Sequence, residues 1–290
     1  MIPPEELLRE VEAARAQGID RDARAVIRWA HEILGEGLMM TTAFGKSGMV
    51  ILHLVRDIVP DLPIYFLDTS FHFPETIEFA EKLRDDWKIN LILKKPELHG
   101  EAFRARYGEK LHETDPDLCC HKNKVEPQRE LLERYQGWIA GVRKDQSSTR
   151  AQAEAIEVLE GGKLKVQPLA HWGRVQVEAY LEEHSIPLHP LFSRGYTSIG
   201  CAPCTQPSSD AANERAGRWM GKGKVECGLH TFWKKAAATG GPAPAAPAGP
   251  VVGHDVSGGA GEGADVSGGA GEGGPPTAGI SALMNTSARF

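Results

Sequence analysis

Long apolar runs are missing from this chain: none approaches the roughly 18 residues that a membrane-spanning helix needs. The N-terminal MIPPEELLRE is acidic and carries no apolar core like that of a secretory leader. A cytoplasmic location with no membrane partner is expected. Excess positive charge is missing too, with 33 Lys and Arg against 39 Asp and Glu and a formal net charge of −6. Bulk electrostatics therefore do not favour a nucleic-acid partner, while a local basic pocket for a small anion stays open. Cysteine is scarce, and its five positions are odd in number and tightly clustered: Cys119, Cys120, Cys201, Cys204 and Cys227. In a cytoplasmic chain that pattern points to metal or catalysis more than to disulfides.

What is present is an ordinary globular balance, 41% hydrophobic and 25% charged, which excludes a wholly disordered or fibrous chain. Composition breaks near Lys235. Residues 236–290 hold 14 of the 32 glycines, and they contain the tandem decamers DVSGGAGEGA and DVSGGAGEGG at 255–264 and 265–274. Such a segment cannot bury enough apolar surface to offset its ordering entropy, so a flexible tail is expected.

The first 235 residues alternate between helical and strand-like patterns. Val26, Ile27, Ala30, Ile33 and Leu34 recur at helical spacing; GLMMTTAF (37–44) follows as a buried strand. Four more strands are expected at 62–69, 89–95, 137–142 and 163–169, with helices after the 37–44 and 62–69 strands. This alternation predicts a parallel sheet with helices on both faces and a ligand at the C-terminal strand ends.

Three motifs lie at those ends. FGKSG (44–48), with Gly45 and Lys46, suits a phosphate cradle at a helix N-terminus but equally a plain tight turn. Asp68, after the second strand, suits a ribose or base edge or a helix cap. GVRKDQSSTR (141–150) carries Arg143, Lys144, Gln146, Ser147 and Arg150, whose forks and hydroxyls fit phosphate or sulfate; a solvated loop is the bland reading.

The cysteines divide into a CC…CxxC tetrad and one apart. Neighbouring Cα atoms lie about 3.8 Å apart and their side chains diverge. Closing Cys119 and Cys120 onto one zinc ion is awkward, whereas two irons of one cubane suit them, so the reading favours a [4Fe–4S] cluster over zinc. Cys227, in VECGLH, follows Arg215, Arg218, Lys222 and Lys224. Cations lower a thiol's pKa, so a nucleophile on a mobile arm and an inconsequential exposed thiol both remain open.

CCHKNKVEP, GVRKDQSSTR, GYTSIGCAPCT (195–205), ERAGRW (214–219) and ECGLH occur in an order that closely resembles the assimilatory sulfonucleotide reductases. The similarity is to the cysteine-tetrad branch that reduces adenosine 5′-phosphosulfate (APS), and it spans about residues 25–233. The resemblance implies an adenine nucleotide alpha-hydrolase-like (PP-loop) α/β fold over 1–235, with a catalytic arm at about 215–233. It implies reduced thioredoxin (or glutaredoxin) as the electron source and an S-sulfocysteine on Cys227. It also implies one [4Fe–4S] cluster on Cys119, Cys120, Cys201 and Cys204. Lys124 corresponds to the lysine between cluster and substrate. Lys144, Arg215 and Arg218 correspond to the cations on the phosphosulfate, Thr42–Gly48 with Phe44 to the phosphate loop, and His230 to the histidine of the last motif. The loop reads TAFGKSG where relatives carry an SxSGAxD-like string, and WMGKGKVE before Cys227 is short and Gly-rich. A reductase of the 3′-phosphorylated nucleotide (PAPS), or dual use, is the nearest alternative, although enzymes confined to that substrate typically lack the tetrad. More remote are a metal-binding PP-loop tRNA-modifying enzyme, which would want SGGxDS, and a non-catalytic metal scaffold. A homo-oligomer is compatible with all of these.

Overall fold

A computed structural model describes residues 1–210, 213–233 and Lys235; the tail at 236–290 and its expected flexibility lie outside the described residues. Six strands form one sheet: β1 (Leu38–Thr42), β2 (Ile64–Leu67), β3 (Leu91–Lys94), β4 (Gly137–Ile139), β5 (Ile156–Leu159) and β6 (Lys163–Val166). Their order is β3-β2-β1-β4-β6-β5. Met40 of β1 pairs in parallel with Ile64 on one side and Ile139 on the other. β2–β3 and β4–β6 are also parallel, while β5 runs antiparallel to β6. The parallel sheet is therefore closed at one edge by a hairpin, which turns at Gly161 and Gly162 in left-handed conformations (φ 76° and 68°).

The helices are α1 (Pro4–Ala16), α2 (Ala23–Leu34), α3 (Lys46–Ile58), α4 (Pro74–Trp87), α5 (Glu101–Tyr107), α6 (Leu111–Thr114), α7 (Pro116–Cys120), α8 (Glu126–Arg134) and α9 (Arg174–Glu183). Asp22 caps α2 by accepting from the Ala25 amide at 2.7 Å, and Pro74 starts α4 where a missing N–H costs nothing. Apolar stripes of α1 to α4 and α9 cover one face of the sheet; Leu38 and Met40 belong to that core. Met39 belongs to the other core, with Leu131 and Leu132 of α8 and Trp138 of β4. Leu229, Phe232 and Trp233 of the C-terminal arm pack onto this second core. The strand order reverses between β1 and β4, and there the crevice for a ligand opens. Among the described residues no helix is long and apolar enough to cross a membrane.

Between α7 and α8 the chain makes one π turn, His121–Val125. Pro127 has no N–H to give the carbonyl four residues back, which disfavours regular α-helix there. A π turn takes one residue more than an α turn, so Lys124 stands about one turn beyond Cys119 and Cys120, near the same face.

Candidate active site

The loop after β1 begins the cleft. Phe44 adopts φ 56° without being glycine, and its ring is fully buried against Phe66 at 5.2 Å and Phe79 at 6.1 Å. Its amide donates to Thr42 Oγ1 at 3.1 Å. The ring thus anchors the loop from beneath rather than lining the cleft. Gly45, Lys46, Ser47 and Gly48 do line it, at a helix start that no side chain caps. A Cβ on Gly48 would stand 2.8 Å from Thr42 Oγ1, and one on Gly141 3.2 Å from the Gly48 amide nitrogen. The β4 loop therefore lies directly on the first turn of α3. Lys46 pairs with Glu178 at 2.7 Å.

The β4 loop is divided in its roles. Arg143, 1% exposed, donates to Ser47 Oγ (2.6 Å), Asp145 (2.9 Å) and Glu214 (2.8 Å). All three partners are protein groups, so its side chain ties loop to helix. Lys144 turns to Glu154 at 3.0 Å and does not border the cleft. Gln146 and Arg150 do border it, and Ser147 pairs with Thr149 at 2.8 Å. Asp68 accepts from the Ser70 amide at 3.0 Å and pairs with His99 at 3.1 Å; it closes a turn outside the cleft.

From the far side come the arm and the segment before it. Arg218 lies over Trp219 at 4.4 Å and donates to the Ile199 carbonyl at 3.3 Å. Its guanidinium occupies the space a Cβ would need at Gly200. Cys227 is half-buried and borders both this inner cleft and an open outer groove with Asp115, Asp117 and Lys224. Burial pushes its thiol up, but Lys124, the Leu229 backbone amide and Arg218 outweigh this and hold the thiol below its ordinary pKa. Burial works against the Lys124 charge, but the sulfurs of Cys201, Cys227 and Cys120 raise its pKa above the usual lysine value. Burial, with the Arg150, Lys165 and Arg215 cations, pushes His230 far down, so it is neutral.

Five buried polar atoms without a protein partner belong to residues that line this cleft: His72 Nδ1, Thr197 Oγ1, Arg215 Nε, Trp219 Nε1 and His230 Nδ1. Buried polar groups are normally satisfied, so this set marks a polar ligand. His72 Nε2 donates to the Leu67 carbonyl at 2.9 Å, which leaves Nδ1 as an acceptor. His72, Thr197 and Trp219 escaped the sequence reading; Thr197 and Trp219 sit inside strings noticed for other residues, and His72 follows Asp68 by four positions.

Next to the cleft, Cys119, Cys120, Cys201 and Cys204 are all buried and border one small cavity. Thr69 Oγ1 is 3.3 Å from Cys201 Sγ, and Asn123 Nδ2 is 3.8 Å from Cys119 Sγ. Burial, followed by the neighbouring thiols, pushes Cys119 to about 12. Burial also lifts Cys120 to about 11 against the pull of Lys124. Ionising all four thiols here would need a compensating cation, and hydroxyl and amide donors close to sulfur suit a metal–thiolate group. Among the described residues no three His, Cys, Asp or Glu side chains converge on a single-ion position.

Fold and site together define an α/β protein whose mostly parallel sheet carries a polar cleft bordered by a thiol. Residues 37–207 match the phosphoadenosine phosphosulfate reductase domain, and the chain belongs to this family. It is 41% identical over 217 residues to the adenosine 5′-phosphosulfate reductase of Halalkalibacterium halodurans, covering 74% of this chain and 94% of that one. The Streptomyces coelicolor enzyme of the same name is 40% identical over 227 residues, covering 78% and 95%. Among solved structures, the Candida auris phosphoadenylyl-sulfate reductase in complex with phosphate superposes with a TM-score of 0.61 at 30% identity, covering 71% of this chain and 98% of that one.

Proposed function

We propose that this protein reduces APS to sulfite and AMP, with reduced thioredoxin (or glutaredoxin) as electron donor, in assimilatory sulfate reduction leading to cysteine, in the cytoplasm. The observation that carries the reading is the Cys227 thiol, held below its ordinary pKa at a cleft whose polar groups await a ligand. Curated relatives at 41% and 40% identity carry the APS reductase name, which supports APS over PAPS.

The Cys227 thiolate attacks the sulfate sulfur, a Cys S–S bond forms, and the S–O bond to phosphate breaks. AMP leaves with that electron pair on its phosphate oxygen. Lys124 and Arg218 face the charge that moves, and the α3 amides receive the nucleotide phosphate. A thioredoxin thiolate then attacks the Cys227 sulfur, and sulfite departs with the S–S electron pair. The second thioredoxin thiol resolves the mixed disulfide and returns Cys227 to the thiolate. The outer groove that Cys227 borders supports an approach for the attacking thioredoxin thiolate. Cys119, Cys120, Cys201 and Cys204 would hold one [4Fe–4S] cluster; that all four are buried and line one cavity supports this. When bound, the cluster supplies charge that polarises the site, not electrons.

Incubated with APS and no thioredoxin, the protein gains the mass of one SO3 on Cys227, and Cys227→Ser makes no sulfite. A serine variant with normal turnover overturns the assignment. Comparing kcat/KM for APS and PAPS decides between the two substrates.

A further inference from the structure

Arg150, Arg215, Gln146 and Ser147 read in the sequence as contacts for substrate oxyanions. In the fold, three of the four converge on an anion that the chain itself supplies. Glu226, immediately before Cys227, accepts a two-pronged fork from Arg150 Nε (2.7 Å) and Nη2 (2.9 Å). Arg215 Nη2 donates to the same carboxylate at 3.2 Å, Thr149 Oγ1 at 3.2 Å and Ser147 Oγ at 3.5 Å. Gln146 holds the other prong of Arg150 at 2.6 Å.

This is no surface ion pair. The Arg150 and Glu226 side chains are each 10% exposed. A carboxylate so enclosed, with two guanidiniums and two hydroxyls, is either fully in its cradle or fully out in water. Arg215 also takes the Val225 carbonyl at 2.9 Å, and Lys165 takes the His230 carbonyl at 3.2 Å. The arm is thus pinned on both sides of Cys227. One peptide separates Glu226 from Cys227, so the place of the carboxylate sets the place of the sulfur.

We propose that Glu226 is a positioning residue: its carboxylate latches the arm into the Arg150–Arg215 cradle and thereby seats Cys227 at the cleft. Arg150 is then committed to the arm. Arg215 is shared, since its Nε still lacks a protein partner. The inference rests on the reading of Cys227 as the attacking thiolate.

The test is a double-mutant cycle with Glu226→Gln, Arg150→Gln and the pair, read by Cys227 adduct formation from APS, AMP affinity and trypsin cleavage after Lys222 and Lys224. Each single variant forms the adduct about a hundredfold more slowly, since a misplaced reacting atom costs rate more than binding. AMP affinity stays within about twofold, which also shows that the variants fold, and the double variant is no slower than the worse single one. Cleavage in the arm accelerates in all three. The latch is overturned if Arg150→Gln weakens AMP binding about tenfold while Glu226→Gln does not, if the two losses multiply, or if cleavage is unchanged. Cleavage needs no chemistry at Cys227. An adduct on another residue therefore sinks the nucleophile assignment alone, while the cleavage comparison still decides the latch.

Discussion

His189 shows burial setting a charge state at a residue that does not line the cleft. It is 1% exposed, takes the Leu191 amide on Nδ1 at 3.2 Å, and so donates from Nε2 to Thr76 Oγ1 at 2.9 Å. Burial, helped by Arg194 and opposed by Glu75, pushes its pKa down to about 4. The unfolded chain binds this proton below its ordinary value of about 6.5, whereas the folded chain does not until about 4. Stability from this residue is therefore whole above that window and drains away as pH falls through it, by about 3 kcal/mol in all. His72, also near 4 through burial, adds in the same direction. The urea midpoint of the wild type falls between pH 7 and pH 4.5, and His189→Gln falls distinctly less over that range. Equal falls would remove His189 from the account. Neither histidine was legible as buried from the sequence, because the partners that neutralise them lie on other elements. The cysteines were legible because their spacing is itself the signal.

At the scale of elements, the stretches rich in apolar residues stood out, and β1, β2, β3, β4 and β6 fall where expected. IEVL of β5 did not, since Glu157 interrupts the run and only the fold shows that this residue is buried beside Lys165. α1 and α9 also went unread; their exposed faces dilute the apolar stripe. The π turn is a different case: Pro127 signals an interrupted helix, but only the structure shows that Lys124 thereby comes beside the thiols. The tetrad depends on two separate pieces, α7 and the short turn Ala202–Cys204, which share one cavity. Anaerobically purified protein is expected to be brown with about four irons per chain. Cys119→Ser on one piece and Cys204→Ser on the other should each lower iron content, and a colourless zinc protein would refute the cluster.

Over the whole molecule, the described chain ends by returning to the sheet. Lys235 bridges to Leu159 of β5, and its ammonium meets Glu157 at 2.9 Å. A chain stopped after Lys235 should keep its turnover within about twofold, since no described contact is lost. One stopped after Thr231 loses Phe232 and Trp233 from the second core, and its turnover should collapse; steady-state kcat on both truncations decides. The path of the arm could not be read from residue order, because 76 positions separate Arg150 from Glu226 and no local pattern links them. Gly200 shows how closely such distant parts are bound together. The absent side chain there is filled by Arg218, and the next residue begins the second thiol pair. One added methyl would be felt simultaneously by the half that carries the thiols and by the half that carries the guanidinium, so this smallest of residues makes the two share a single mechanical fate.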